Sequence, residues 1–434
     1  MDRPIAFRNA RLIDPASGLD KPGGLLTVDG RIAELGPGLF AYAAPPGVET
    51  VDCKGWVLAP GLVDMRVFLR EPGQEHKETI KTASLSAAAG GVTTMIAMPN
   101  TKPPIDDVSL VDFMERRARD TASVRIHPMA AITKGTQGKE LTEMGLLTEA
   151  GAVGFTDGEV ALADARLMRR AMSYARTFDF LISNHVEEPA LAAGGAMNSG
   201  AVSTRLGLSG IPAAAEVIML ERDLRLAELT GCRYHAASIS TAESVAVLRR
   251  GRERGLKISA AVAPYHFTLT EDAIGEYRTF CKVSPPLRTQ VDIDAILAGL
   301  ADGTIEIIAS CHAPQDQEGK RQTFAQARIG MVGLETLLAL TLAPVHDGKL
   351  DLVTVLRAMT CNPARLLGLD RGRLRKGAPA DLCLFDPGLA WRIDPERFRS
   401  KSKNSPFEDH PVKGKVMLTV VGGKIVYDER PNEA

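Results

Sequence analysis

Several common signals are missing from this sequence of 434 residues, and each absence excludes a class of protein. No apolar run reaches the roughly 18 residues that a membrane-spanning helix needs. The opening stretch, MDRPIAFRNARLID, lacks the apolar core of a signal peptide. Lys and Arg number 52 against 53 for Asp and Glu, so no basic surface for nucleic acid is expected. We therefore expect a cytoplasmic protein that binds neither nucleic acid nor membrane.

Familiar catalytic and metal motifs are missing as well. The six cysteines are scattered without a CxxC pair, which indicates free thiols in a reducing compartment. Neither HxH nor HExxH occurs, and there is no GxGxxG after a strand, no GxxxxGK[ST] and no GxSxG. What remains is a chain of ordinary globular composition, 45% hydrophobic and 24% charged, long enough for one large domain and a smaller one.

The two ends of the chain share a pattern that the middle lacks. Residues 1–58 hold short alternating runs such as IAFRNARLID and TVDCKGWVLA, broken by Gly, Pro and Asp, which predicts small antiparallel strands with tight turns. The same pattern returns in residues 374–434, for example in KGKVMLTVVGGKIVYDERP. We therefore predict one small β-sandwich domain assembled from both termini.

Residues 59–373 alternate eight short apolar runs with helix-like stretches. Runs such as GVTTMIAMP and IEIIASC lack regular alternation, which suits strands covered on both faces. This order over roughly 300 residues predicts an α/β fold of the (β/α)8 barrel type. In such barrels the chemistry lies where strands end and loops begin. Polar residues at the predicted strand ends are therefore the candidate site.

The first predicted barrel strand ends with three large residues. Arg66, Phe68 and Arg70 are spaced so that they share one face of the strand. If that face points into the barrel, a buried arginine needs a carboxylate or a ligand. A register shifted by one residue would instead leave all three residues covering the surface. The residues alone leave both registers open.

Later strand ends carry further polar residues. Asn100 precedes a proline-rich turn and fits that turn better than a ligand contact. Asp157 before Gly is typical of a turn or helix cap, with ligand binding as the alternative. His185 is open to a structural or a functional role, and Cys311 is by default a buried strand cysteine. Zinc needs three or four converging ligands, so Asp157, His185 and Cys311 make a thin set.

Longer motifs carry a family resemblance. They are APGLVDMRVFLREPG, GGVTTMIAMPNTKPP, GAVGFTDG, NHVEE, ISTAES, KVSPPLR, GMVGLETLLAL, NPARLLGL, GRLRKGAPADLCLFDP and SKSKNSPF. In this order they resemble the dihydroorotases of the amidohydrolase superfamily, specifically the long bacterial type that works with aspartate carbamoyltransferase. The resemblance runs nearly end to end. It implies a (β/α)8 barrel with a composite β-sandwich, in agreement with the pattern.

The resemblance also implies a zinc site. Active members of the family bind zinc through HxH after the first strand, an Asp or modified Lys after the fourth, and His after the fifth and sixth. An Asp after the eighth strand binds metal and acts as the general base. Asp157 and His185 match the fourth-strand and fifth-strand ligands.

The other ligand positions have changed. Arg66 and Phe68 stand at the HxH positions, Ser238 replaces the sixth-strand His, and Cys311 replaces the catalytic Asp. Without zinc and the carboxylate, hydroxide is scarce and no group moves protons to the leaving nitrogen. The resemblance therefore implies no intact catalytic residue and no bound cofactor.

The substrate positions are partly changed too. Arg70 and Asn100 match the family's dihydroorotate-binding residues, whereas Ser284 stands where an Asn is usual and Gln315 where a second His is usual.

The substitutions suggest compensation for the lost metal. Removing zinc from around Asp157 would leave a buried carboxylate unpaired, which is costly. We predict that the Arg66 guanidinium occupies the vacated space and pairs with Asp157, while Phe68 fills volume.

Three functions fit these observations. The first is a catalytically inactive dihydroorotase-like protein that acts as a structural partner of aspartate carbamoyltransferase and forms a homo-oligomer. The second is an active zinc dihydroorotase, closing carbamoyl aspartate to dihydroorotate with an altered site of Asp157, His185 and Cys311. The third is a protein that binds a pyrimidine intermediate through Arg70 and Asn100.

Overall fold

A computed structural model describes residues 3–431 and places strands and helices along the whole of that range. The strands are β1 (Ile5–Asp14), β2 (Leu19–Val28), β3 (Arg31–Pro37), β4 (Glu49–Asp52), β5 (Val57–Pro60), β6 (Leu62–Val67), β7 (Val92–Ala97), β8 (Arg125–Pro128), β9 (Leu181–Asn184), β10 (Met197–Asn198), β11 (Gly210–Ile211), β12 (Arg233–Ala236), β13 (Ile258–Val262), β14 (Ile307–Ile308), β15 (Leu382–Arg392), β16 (Pro411–Val421) and β17 (Lys424–Asp428).

The helices are α1 (Ile80–Ala89), α2 (Val108–Thr121), α3 (Met144–Glu149), α4 (Ala165–Thr177), α5 (Pro189–Ala192), α6 (Ala201–Leu206), α7 (Ala213–Thr230), α8 (Ala242–Glu253), α9 (Gln290–Ala301), α10 (Gln317–Lys320), α11 (Leu337–His346), α12 (Leu352–Met359) and α13 (Cys361–Leu366). Short 3₁₀ turns lie at Lys134–Thr136, Pro264–His266, Glu271–Ile274, Thr279–Cys281, Leu334–Thr336 and Pro395–Arg397. No helix within residues 3–431 is long and apolar enough to cross a membrane.

Strands from both ends of the chain pair in one mixed sheet. Its order is β17-β16-β15-β5-β1-β2-β3, with β4 beside β1. The two ends meet where β5 runs antiparallel to β15, with Pro60 opposite Leu382. The inner faces bury residues such as Phe7, Leu25 and Leu418 in one apolar cluster. The predicted assembly of a small β-sandwich from both termini is therefore confirmed, while its boundaries at residues 58 and 374 stay predictions.

Seven of the remaining strands close into a parallel barrel, while β10 and β11 pair with each other. One group is β6-β7-β8 and the other is β9-β12-β13-β14, in spatial order. On one side Phe155 bridges both groups, pairing with Ala130 and with Ile182. On the other side Val67 pairs with His312. Counting the Phe155 segment as the fourth strand, the predicted (β/α)8 barrel is confirmed.

Helices cover the outside of the barrel with one apolar face each. In α4, Asp164 caps the start by accepting the backbone N–H of Leu167 at 2.9 Å. Its buried residues recur at helical spacing and include Met168 and Met172, while Arg169 is exposed. Each fully buried Leu or Met side chain contributes about 1.5–3 kcal/mol, so this face holds the helix on the barrel.

A buried ionic joint ties the barrel to the sheet. Asp381, just before β15, accepts hydrogen bonds from Arg125 at 3.0 Å and from Arg371 at 2.7 Å. It also accepts the backbone N–H of Gly422 at 2.7 Å. Arg125 begins barrel strand β8, and Gly422 follows strand β16 of the mixed sheet. The Asp381 carboxylate therefore connects the barrel to the mixed sheet.

Candidate active site

The three large residues after β6 point into the barrel. Arg66, Phe68 and Arg70 are only 5%, 4% and 3% exposed, so the surface register is wrong. Both guanidinium groups lie over the Phe68 ring, with their central carbons 5.3 Å and 5.2 Å from its centroid. Cations over an aromatic face are attracted to its negative quadrupole. Phe68 also packs in an apolar cluster with Met98 and Ile307, as predicted for a residue that fills volume.

The predicted ion pair between Arg66 and Asp157 is wrong. Both Asp157 oxygens accept from Thr133, from its backbone N–H at 3.0 Å and from its hydroxyl at 2.6 Å. Arg66 instead donates through Nη2 to the carbonyl oxygen of Gly158 at 3.0 Å, and its Nη1 has no hydrogen-bond partner. Because Thr133 already occupies the carboxylate, the guanidinium binds the neighbouring peptide group. Burial raises the pKa of Asp157 even though the Thr133 hydrogen bonds lower it.

The loop after the fourth strand is fixed by Asn100. Its amide donates to the carbonyl oxygen of Asp157 at 3.0 Å and accepts the backbone N–H of Glu159 at 3.1 Å. Gly158 between them has φ +65°, and a Cβ there would lie 1.7 Å from the Asn100 side-chain oxygen. Only glycine fits that position. Asn100 is therefore neither a simple turn residue nor free to meet a ligand through these two atoms.

His185 lies at the end of β9 and is buried. Its Nε2 is 3.0 Å from the Ser284 hydroxyl and 3.7 Å from a carboxylate oxygen of Glu187. Its Nδ1 is buried without a hydrogen-bond partner. Ser284, predicted as a substrate residue, therefore binds His185 and occupies the ring nitrogen that faces it.

Cys311 and Ser238 are buried at the ends of the eighth and sixth strands. Burial raises the pKa of the Cys311 thiol to about 11, although the charge of Arg66 lowers it. The thiol is therefore protonated at neutral pH and cannot take the place of a carboxylate base. The Ser238 hydroxyl has no hydrogen-bond partner, and a neutral serine is a poor replacement for a zinc-binding histidine.

The ligand set of a zinc enzyme does not come together. Among residues 3–431 no three His, Cys, Asp or Glu side chains are placed to hold one metal ion. The altered site of Asp157, His185 and Cys311 is therefore not formed. Thr133 holds the carboxylate, Ser284 contacts the imidazole, and the thiol keeps its proton. These residues do not fit zinc.

Two of the predicted substrate residues line a cleft at the barrel mouth. Arg70 forms an ion pair with Glu159 at 2.8 Å, and Gln315 accepts from the Lys77 ammonium at 2.9 Å. Both line a cavity of about 860 Å³, which Asn100 and Ser284 do not line. Binding of a pyrimidine intermediate through Arg70 and Asn100 stays a prediction.

The cleft has a mixed charge, with Glu159, Asp316 and Glu318 in its lining. Four of its basic residues could not be predicted from the sequence. They are Lys77, Lys102, Lys282 and Arg328. Burial lowers the pKa of Lys77, and the nearby charges of Arg70 and Arg328 lower it further. No spacing could have identified them, because they come from loops up to about 250 residues apart. Thr133 was missed for the same reason.

Comparison with known proteins agrees with this architecture. The Dihydro-orotase-like family matches residues 55–244, and the Amidohydrolase family matches residues 330–427. A protein named Dihydroorotase from Geobacter sp. (strain M21) is 46% identical, covering 98% of this chain and 99% of its own. One from Wolbachia sp. subsp. Brugia malayi (strain TRS), also named Dihydroorotase, is 45% identical, covering 98% and 96%.

Solved structures share the fold over nearly the whole chain. L-Hydantoinase (dihydropyrimidinase) from Arthrobacter aurescens has a TM-score of 0.88 at 26% identity, covering 99% of this chain and 97% of its own. Dihydropyrimidinase from Brevibacillus agri NCHU1002 has a TM-score of 0.84 at 20% identity, covering 98% and 95%. The second likeness shows the fold alone. The motifs, the barrel with its composite sandwich and the identity to these relatives agree, and the chain belongs to the dihydroorotase-like family of amidohydrolases.

Proposed function

We propose that this chain is a dihydroorotase-type protein of cytoplasmic pyrimidine biosynthesis that has lost hydrolysis and serves as a structural partner of aspartate carbamoyltransferase. One observation carries the first part of the proposal: the side chains at the family's metal positions do not form a metal-binding set. A cyclic amidohydrolase of this type needs a metal to lower the pKa of water and to polarise the amide carbonyl.

The groups that remain cannot supply the missing chemistry. With a pKa of about 11, Cys311 is a thiolate in roughly one molecule in 10,000 at pH 7. Arg66 offers only N–H donors and no acceptor, so it does not take the place of a base. Phe68 places an apolar ring where the family has a ligand. General acid–base catalysis and metal activation are both missing from these positions.

Burial supports the same proposal. Arg66, Phe68 and Cys311 are each 5% exposed or less, and Ser238 is fully buried. Asp157 itself is 1% exposed. Packing of this kind stabilises a barrel but does not admit a ligand. Selection for stability and for the outer surface would produce this pattern.

The names of the relatives favour a second candidate, an active dihydroorotase. Two proteins that cover almost the whole chain at 46% and 45% identity carry that name. Under this candidate the chain would bind zinc with a rearranged set of side chains and close carbamoyl aspartate to dihydroorotate.

Zinc content and turnover of the purified protein distinguish the two candidates. For the inactive protein we expect less than about 0.1 zinc per chain after incubation with zinc and dialysis. We also expect no dihydroorotate hydrolysis above background. One or two zinc ions per chain with turnover would overturn the proposal in favour of the active enzyme.

A restored variant makes the test sharper. Arg66→His, Phe68→His, Ser238→His and Cys311→Asp together rebuild the family's ligand set around Asp157 and His185. This variant should bind zinc where the natural chain does not. The matched control adds Asp157→Asn to it and should lose part of the zinc affinity. Binding by the control as tight as by the restored variant would place the metal elsewhere.

The partner is tested by mixing. We expect the protein and aspartate carbamoyltransferase from the same organism to elute together in size-exclusion chromatography, with a mass above that of either alone. Separate elution at micromolar concentrations would count against the structural role. It would leave the loss of hydrolysis standing. The mass of the protein alone gives its oligomeric state.

A further inference from the structure

A second cavity lies where the outside of the barrel meets the mixed sheet. Its volume is about 340 Å³, within the range of pockets that hold small ligands. Ala89 at the end of α1 and Leu338 in α11 line it from the barrel, and Val416 in β16 lines it from the sheet. No residue of the candidate active site lines it. Junctions between domains are common ligand sites, so this cavity offers a separate place for a bound molecule.

Two aromatic side chains form a fixed wall of this cavity. The Trp391 indole N–H donates to the carbonyl oxygen of Gly414 at 2.9 Å, and the Tyr427 hydroxyl donates to a carboxylate oxygen of Glu429 at 3.2 Å. Both rings line the cavity and remain partly exposed. Phe398 adds a third ring to the lining. Rings that are held by their polar ends and partly exposed are suited to packing against a flat ligand.

Glu335 supplies a hydrogen-bond acceptor to the same cavity. Its Oε1 accepts from the Ser86 hydroxyl at 2.9 Å and from the backbone N–H groups of Arg399 and Ser400 at 2.7 Å and 3.1 Å. Its Oε2 has no hydrogen-bond donor among residues 3–431. Burial raises the pKa of Glu335 to about 7, although these hydrogen bonds lower it. One oxygen of a partly buried carboxylate therefore lacks the donor that would stabilise it.

The charged side chains of the lining are unequally paired. Four are cations and three are acids, namely Arg392, Arg397, Arg399 and Lys415, and Glu335, Asp394 and Glu429. Lys415 pairs with Glu429 at 3.2 Å, and Asp394 accepts a backbone N–H. The guanidinium groups of Arg397 and Arg399 form no hydrogen bond or ion pair within the described part of the chain. Both residues are exposed, and a guanidinium binds a carboxylate or a phosphate in bidentate geometry.

We propose that this cavity binds a flat aromatic molecule that carries an N–H donor at one end and an anionic group at the other. The ring packs against Trp391 and Tyr427, and the N–H group donates to Glu335 Oε2. The anionic group, a carboxylate or a phosphate, accepts from Arg397 and Arg399. The inference is independent of the proposed loss of hydrolysis, because the cavity shares no residue with the candidate active site.

Trp391 reports on this site directly. The chain holds two tryptophans, Trp56 and Trp391, so a Trp56→Phe background leaves one indole, at the cavity. Its fluorescence is titrated with 4-aminobenzoate, which carries a carboxylate, and with adenosine 5′-monophosphate, which carries a phosphate. We expect saturation with a Kd between about 1 μM and 1 mM for at least one of them. Saturation by only one ligand shows which anionic group the site takes.

Thermal unfolding gives a second measurement, on the natural chain. Since only the folded chain holds the cavity, a ligand at about 100 times its Kd should shift the folding equilibrium about 100-fold and raise Tm. No fluorescence saturation and no rise in Tm with either ligand, up to about 10 mM, would overturn the inference.

Variants locate the ligand. Glu335→Gln keeps an oxygen for the three donors and replaces Oε2 by an NH2 group, so Kd should rise about 10-fold or more. Arg397→Met combined with Arg399→Met should raise Kd by a similar factor. Arg169→Met, at an exposed position on α4, is the matched control and should leave Kd unchanged.

The double arginine variant changes exposed residues only, so it tests the site even if Glu335→Gln does not fold. An unchanged Kd in the double arginine variant would place the ligand elsewhere and overturn the inference. So would an unchanged Kd in a folded Glu335→Gln protein.

Discussion

Asp157 gives both of its carboxylate oxygens to Thr133, whose backbone N–H and hydroxyl lie 3.0 Å and 2.6 Å away. The two residues belong to loops that follow the third and fourth barrel strands. In a metal enzyme of this family the aspartate would face the metal. Here it joins two neighbouring loops.

Removing the Thr133 hydroxyl should show how much its hydrogen bond to Asp157 contributes to stability. Thr133→Val keeps the shape of the side chain but leaves one buried carboxylate oxygen without a donor and the Gly138 backbone N–H without its acceptor. We expect a loss of about 1.5–3 kcal/mol in the free energy of unfolding, measured by urea denaturation. Thr177→Val on the exposed side of α4 is the control and should change stability by less than about 0.5 kcal/mol. Equal losses in both would show that the Asp157 contact is unimportant.

Asp64 should make stability depend on pH. Burial raises its pKa to about 6 from an ordinary value of 3.8. The folded state therefore holds this proton more tightly than the unfolded state, and ionisation destabilises the fold as pH rises from about 4 to 6. Asp64→Asn keeps the side-chain oxygen that accepts two backbone N–H groups but does not ionise.

The measurement is unfolding of both proteins across that pH range. The stability of Asp64→Asn minus that of the natural chain should rise by roughly 2–3 kcal/mol from pH 4 to 6 and then stay level. A difference that stays flat would mean that the folded carboxyl keeps its ordinary pKa.

The Phe68 ring should be essential for stability. Phe68→Ala removes a buried ring from the barrel interior and the aromatic surface under Arg66 and Arg70. We expect a loss of about 3–5 kcal/mol, seen as a lower Tm. Tyr42→Ala, at a position 99% exposed, is the matched control and should have little effect. A small loss for Phe68→Ala would mean that the barrel mouth is open and hydrated.

The ion pairs of Asp381, which connect the barrel to the mixed sheet, give a further test. Asp381→Asn removes the charge that Arg125 and Arg371 share, leaving two cations partly buried together. We expect a loss of about 3–5 kcal/mol. Asp20→Asn breaks a two-bond contact with Arg11 at the sheet surface and should cost less than about 1 kcal/mol. Similar values for the two would show that the joint is no stronger than a surface pair.

Cysteine labelling measures the state of Cys311. Its thiol is buried and has a pKa of about 11, whereas Cys361 is half-buried. With iodoacetamide at pH 8, mass spectrometry should find Cys361 modified well before Cys311, because only the accessible thiolate reacts. Faster labelling of Cys311 would indicate an accessible thiolate and would strengthen the case for catalysis.

Local sequence patterns were enough to predict the layers of the fold. Unbroken apolar runs indicate strands covered on both sides, and the spacing of Arg66, Phe68 and Arg70 places them on one face. Because that face points into the barrel, the Phe68 ring fills space there. The partner of Asp157 could not be predicted, because Thr133 is 24 residues away and no periodicity links two loops. The charge on Arg66 led us to expect an ion pair with the Asp157 carboxylate. Thr133 binds both oxygens of that carboxylate instead.

The pairing of Phe155 has a consequence for how the barrel holds its shape. Three strands form one wall and four form the other. The walls meet at Phe155, which lies between Ala130 and Ile182, and at Val67, which pairs with His312. Asp157 follows one junction by two residues, and Cys311 precedes His312 at the other. Arg66, on the first barrel strand, donates a hydrogen bond to the carbonyl oxygen of Gly158, which follows the fourth. Its side chain therefore links the first strand to the junction between the two walls from inside the barrel.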